Sequence, residues 1–147
     1  MATESETNSA ELAAAMVALV RSFGLHRAHE TPCGRPIPIA EAHALMDLAT
    51  AGAMSQGELG RRLRLEKSTV SRLVRQLEKR RSIRRQNHSE DKRIVLISLT
   101  AEGRRIAKRL ETARKAKFDQ LLTGVPKAKR VEVLDALSTL VQALEPK

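Results

Sequence analysis

"EKSTVSRLVRQLEKR", residues 66–80, decides the fold. Val70, Leu73, Val74 and Leu77 recur at i, i+3, i+4 and i+7, so one stripe of a helix faces a core. At about 100° per residue, Ser68, Arg72, Arg75 and Lys79 lie almost opposite that stripe. Glu78 is the one acid among the basic residues between Thr69 and Lys79. A face that meets only water usually mixes both signs. This one is nearly all positive, with small hydroxyls at its N-terminal end.

The charge of the whole chain gathers around this helix. Residues 61–93 hold thirteen Lys/Arg and four Asp/Glu, so that window carries +9 of the net +10. A focused basic patch points to a polyanion partner, with nucleic acid first. The chain has 147 residues, 41% of them hydrophobic, enough for one domain with a core. Phe23 and Phe118 are its only aromatic residues, which argues against base-stacking platforms. No apolar run approaches the roughly 18 residues of a membrane span. The polar start, "MATESETNSAE", lacks the basic residues and apolar stretch of a secretory signal. A single cysteine, Cys33, leaves no internal disulfide. These features predict a soluble, cytoplasmic chain that needs no membrane. Gly-rich phosphate loops, paired-carboxylate signatures and nucleophile motifs are missing, so no enzyme and no cofactor are expected.

Working outward, residues 1–8 are expected to be a disordered tail. Leu12, Met16, Leu19, Val20 and Phe23 then recur at helical spacing, predicting a helix from Ser9 to about residue 28. "HETPCGRPIP" holds three of the five prolines and reads as a loop. Residues 39–51 predict a second helix with Ala42, Leu45, Met46 and Ala49 inward. "SQGE", 55–58, fits a capping box, with Ser55 as N-cap and Glu58 three residues on. It opens a short third helix with Leu59 and Leu63 inward, and "RLEK" turns into the helix quoted above.

The period changes after that. "SIRRQ", the polar "NHSEDKR" and the β-branched "IVLISL" predict a hairpin. Thr100 caps a fifth helix running through Ile106, Leu110, Ala113 and Ala116 to about Leu122, where "TGVP" breaks it. A last helix, 127–144, is apolar over a broad face that includes Val131, Leu134, Leu137 and Val141. No internal repeat appears. A helix-turn-helix followed directly by a hairpin is a winged helix. The expected fold is mainly α, a winged helix-turn-helix with flanking N- and C-terminal helices. Its second helix enters the major groove, and its hairpin tip reaches the adjacent minor groove.

Three stretches carry a family resemblance: "MSQGELGRRLRLEKSTVSRLVRQLEKR", "DKRIVLISLT" and "AEGRRI". Together they cover about residues 54–106, and they resemble the MarR family of bacterial transcriptional regulators. The resemblance implies a homodimer built from terminal helices, here 9–35 and 118–147, around a DNA-binding region at 36–117. It implies binding to double-stranded DNA at a palindromic operator, usually as a repressor, and release by a small-molecule effector. It places the effector between the dimer helices and the winged domain, with Phe23 and Met46 as lining candidates. The chain departs from the family pattern where the recognition helix ends. Arg80-Arg81-Ser82 stands where Arg-Gly-Leu is common, so a left-handed residue costs roughly 1 kcal/mol and one apolar contact is lost.

The candidate DNA-binding residues are Ser68, Thr69, Ser71, Arg72, Arg75, Lys92 and Arg93. Hydroxyls in the first turn of a recognition helix bond phosphates or bases without holding it off the groove. For Ser68 the plain alternative is helix capping. Arg72 and Arg75 can pair in a fork with guanine, or touch only phosphate. The resemblance matches Asp91 and Arg93 to a wing pattern in which the acid orients a basic neighbour, with Arg93 entering the narrow minor groove. Lys92 and His88 are weaker phosphate candidates.

His26, His29, Cys33 and His43 fall within 18 residues and raise an alternative, a metal- or redox-responsive regulator. Their spacing matches no standard site, and surface histidines with a loop cysteine are the plain reading. Two other classes compete: a nucleoid-type protein that binds DNA without sequence preference, and a winged helix that binds protein.

Overall fold

The computed structural model describes residues 4–146. Six α-helices and three short strands follow in the order α1 (Glu4–Phe23), α2 (Ile39–Ala51), β1 (Met54–Ser55), α3 (Gln56–Leu63), α4 (Lys67–Lys79), β2 (Ile83–Asn87), β3 (Val95–Leu99), α5 (Ala101–Thr123) and α6 (Arg130–Ala143). A short 3-10 turn, Lys127–Lys129, leads into α6. No helix among the described residues is long and apolar enough to cross a membrane.

Helix α1 differs from its expected span at both ends. It is already helical at Glu4, ahead of the expected start at Ser9, since nothing in "ESETN" breaks a helix. Only residues 1–3 of the expected tail lie outside the described residues. It stops at Phe23 rather than near 28, because Gly24 takes φ +90° and the N–H groups of Gly24 and Leu25 both bond the Val20 carbonyl at 3.0 Å. Glycine reaches that left-handed region at little steric cost.

Between α2 and α3 the chain makes β1, a two-residue strand invisible to periodicity. Met54 pairs with Ile97 and Ser55 with Leu96, giving a three-stranded antiparallel sheet in the order β1-β3-β2. Ser55 also caps α3, its Oγ accepting from the Glu58 N–H at 3.2 Å. The hairpin registers Ile83 against Leu99 and Asn87 against Val95.

Three layers meet in one core. Leu45 from α2, Leu59 from α3, Val74 and Leu77 from α4, Ile97 from β3 and Leu110 from α5 are all fully buried. Helix α2 lies between α5 on one side and α3 and α4 on the other. It therefore buries a wider face than one stripe: Ala44 and Leu48 join Ala42 and Leu45, while Met46 is half-buried and Ala49 is exposed. The core runs from Ile37 to Leu110. Helix α6 buries no residue at all.

Candidate nucleic-acid interface

The turn between α3 and α4 is set by Arg64, whose φ of 53° reverses the chain, while the Leu65 N–H bonds the Gly60 carbonyl at 3.1 Å. Val70 packs close to Gly60; a Cβ added there would sit 3.1 Å from its Cγ2. This close approach seats α4 across α3. Val70, Leu73, Val74 and Leu77 are buried, and Ser68, Arg72, Arg75 and Lys79 are exposed on the other side. The N-cap of α4 is Glu66, with no side-chain cap hydrogen bond. Ser68 therefore does not cap the helix. Thr69 and Ser71 are half-buried on the same first turns.

Ion pairs divide the basic window. Arg61 and Arg62 both hold Glu58, at 2.7 and 3.1 Å, and the Arg61 hydrogen bond chiefly keeps that carboxyl below its usual range. Glu78, the lone acid on α4, meets Arg85 of β2 at 3.0 Å. Among the described residues Lys67, Arg72, Arg75 and Lys79 of α4 pair with no acid, nor do Arg81, Arg84 or Lys92. Arg75 Nε instead bonds the Ser71 carbonyl of its own helix, at 3.4 Å. The unneutralised charge of this window is thus centred on α4, where Lys67 joins the residues read from sequence, with Arg84 beyond it on β2. Both were legible only as members of a charged run.

At the wing tip Asp91 grips Arg93 in a fork. Arg93 Nε donates to Oδ1 at 3.1 Å, Nη2 to Oδ2 at 3.2 Å, and the Arg93 backbone N–H to Oδ1 at 3.0 Å. These bonds, the side-chain one first, hold the Asp91 carboxyl below its ordinary range. Arg93 stays 91% exposed, so it is oriented without being covered. His88 turns inward on the tip, its Nδ1 accepting from the Glu90 N–H at 3.2 Å; Lys92 is exposed.

The histidine and cysteine cluster is not assembled. His26 and His29 are exposed, and no three His, Cys, Asp or Glu side chains among the described residues come together as metal ligands. Cys33 and His43 instead line a cavity of about 180 Å3, with Phe23, Arg114 and Phe118. Its two phenyl rings sit 5.5 Å apart at 48°. The Cys33 thiol lies 2.9 Å from the Thr31 hydroxyl. Met46 does not join Phe23 there; it lines a different cavity with Leu99 and Arg104, nearer the start of α5 on the same stripe.

Known proteins share this fold. The model of the MarR family matches residues 37–95. A helix-turn-helix transcriptional regulator of Bacillus subtilis, YdgJ, is 30% identical over 93 residues, covering 61% of this chain and 55% of its own length. FabT of Streptococcus pneumoniae, solved in complex with DNA, superposes with a TM-score of 0.72 at 22% identity over 97% of both chains. PcaV of Streptomyces coelicolor, solved with its natural ligand, gives 0.72 at 21% identity over 99% of both.

Proposed function

We propose, from the premise that residues 37–95 of this chain form a MarR-family winged-helix domain, that the protein is a homodimeric, sequence-specific DNA-binding transcriptional regulator. It represses at a palindromic operator and lets go when a small ligand binds. One observation carries this reading. Helix α4 buries one stripe and turns an exposed, unneutralised row of Ser68, Arg72, Arg75 and Lys79 the opposite way. A non-specific binder needs charge but no such base-reading row. The likeness in fold to FabT, solved with DNA, supports DNA as the partner. Arg93, held by Asp91, serves as the minor-groove arm.

Support for the dimer comes from apolar side chains that this chain does not cover. Leu12, Met16 and Val17 on α1, and Leu134, Leu137 and Val141 on α6, are all exposed. Support for a ligand comes from the fold shared with PcaV and from the cavity holding Phe23, His43, Arg114 and Phe118. At about 180 Å3 that cavity is below the usual size of a small-molecule site, and a partner's helix would complete it.

Selection of bound sequences from random DNA, followed by alanine variants, tests the reading. Arg72→Ala is expected to cost roughly 1–3 kcal/mol on the selected operator and to relax preference at one base pair per half-site. Arg93→Ala is expected to weaken binding across many sequences. Affinity should fall with salt at a log–log slope of about −0.9 per phosphate neutralised. If both variants weaken operator and random DNA by one common factor, the protein is a non-specific, nucleoid-type binder. A flat salt response would indicate a protein partner.

A further inference from the structure

At the opposite end of α4 from Ser68, a cavity of about 190 Å3 opens between the α1–α2 loop, the end of α4 and α5. Ile37, Ile106 and Leu110 give it an apolar wall, two of them members of the buried core. Three arginines line it from three separate elements: Arg35 from the loop, Arg80 at the C-cap of α4, and Arg109 from α5. Among the described residues Arg35 and Arg109 pair with no carboxylate. The acids nearest them in sequence are engaged elsewhere, Glu30 by Arg27, Glu102 by Arg105 and Glu111 by Lys108.

Arg80 has one acidic neighbour, Glu41 of α2, whose Oε2 lies 3.4 Å from Nε. That oxygen is buried and accepts no hydrogen bond, and the half-exposed Arg80 keeps its fork open to a further acceptor. Burial pushes the Glu41 carboxyl above its usual range against the pull of Arg80, so it is a weak counter-charge. Three arginines bordering one small cavity surround it with a single sign of charge, which an anion between them would offset.

We infer that the Arg35–Arg80–Arg109 cavity is a binding site for a small organic carboxylate, separate from the DNA-reading face of α4 and from the Phe23–Phe118 cavity. The carboxylate takes paired N–H donors from the arginines, a geometry that a planar guanidinium matches. Its apolar body lies on Ile37, Ile106 and Leu110. The volume, about six times a water's share of liquid, suits a chain of a few carbons. An inorganic phosphate, hydrated on every side, gains nothing from the apolar wall. Because Arg80 ends the recognition helix, an occupant touches the element that reads DNA.

Calorimetric titration of the full chain without DNA, at low ionic strength, tests this with butyrate and inorganic phosphate as probes. Butyrate is expected to bind saturably, one per chain, and at least tenfold more tightly than phosphate. Arg35→Gln and Arg109→Gln are each expected to weaken butyrate at least tenfold, and neither side chain holds the fold together. Amide shifts on butyrate addition should centre on Ile37, Ile106 and Leu110, an independent readout should a variant fold poorly. Three results would overturn the inference: no saturable butyrate binding, phosphate binding as tightly as butyrate, or loss of binding with Arg114→Gln while Arg35→Gln and Arg109→Gln match the wild type. No DNA is present, so the outcome stands apart from that of the regulator reading.

Discussion

The winged region and the terminal helices use the same apolar residue types and put them to opposite uses. Between Ile37 and Leu110 the large apolar side chains close on one another, and Leu45, Leu59, Leu77, Ile97 and Leu110 are fully buried. On α1, the far end of α5 and α6 the same residue types stay open: Leu12 is 48% exposed, Phe118 48%, Val131 69% and Leu144 71%. At about 25 cal/mol per Å2, uncovered surface of that extent is a standing drive to associate. The winged unit closes its core within one chain, and the helical arms leave open the apolar faces that a second copy covers in the proposed dimer.

Leu137→Glu breaks the arms alone. A carboxylate on the open face of α6 cannot be buried unpaired, so the proposed dimer should fall to monomers in sedimentation at micromolar concentration. Operator affinity should drop by on the order of 10²–10⁴, the loss expected when two linked half-site contacts become one. Far-UV circular dichroism of the whole chain should barely change, since Leu137 takes no part in the winged core. A variant that stays dimeric, or binds the operator as the wild type does, would remove the distinction between the two regions.

Gly103→Ala attacks the other side. Helix propensity alone predicts a gain of about 1 kcal/mol for this change. Packing predicts the reverse, because a Cβ at Gly103 would lie 2.0 Å from the Ser82 carbonyl oxygen and 3.2 Å from Leu99 Cδ2. That carbonyl also accepts from the Thr100 N–H at 3.1 Å, and the Thr100 hydroxyl bonds the Arg81 carbonyl at 2.7 Å, so the junction of wing and α5 has no room to yield. Urea unfolding should show a loss of at least about 3 kcal/mol, at the upper end of overpacking costs. A gain in stability would mean that the junction is not closed in this way.

Which parts were legible follows from how local their causes are. The span of α4, the caps at Ser55 and Thr100 and the hairpin each depend on neighbours within a few residues, and all three read directly from sequence. The end of α1 had a local signal too: Gly24 directly follows Phe23, the last apolar residue of the helical series. Strand β1 had none, since its two residues are held by Leu96 and Ile97, some forty residues on. The face of α2 was misread at Ala49 because burial there is decided by α5. At the interface, the row from Ser68 to Lys79 was visible as helical spacing. The Glu78–Arg85 bridge that removes its one negative charge joins a helix to a strand, and only the fold brings the two together.

The smallest expected effect sharpens the comparison from inside the winged region. Arg81 stands where the chain leaves α4 for β2, with φ 57°, and it bonds the Glu78 carbonyl at 2.8 Å through its backbone N–H. The strain suggested by Arg80-Arg81-Ser82 is therefore accepted at Arg81, and Ser82 behind it is buried. A left-handed residue with a Cβ costs roughly 1–2 kcal/mol, and a glycine returns about 0.4–1 kcal/mol of that as added freedom in the unfolded chain. Arg81→Gly should then stabilise the winged region by about 0.5–1 kcal/mol, a rise of a few degrees in thermal unfolding. Arg80, Arg84 and Arg85 crowd the same junction, so relief of charge repulsion would act in the same direction. Arg81→Ala separates the two causes, because it removes the charge and keeps the Cβ. Strain relief predicts that only glycine stabilises; equal gains for both variants would assign the effect to charge. In either case sedimentation should show the association state of the wild type, since Arg81 lies far along the chain from the open faces of α1 and α6.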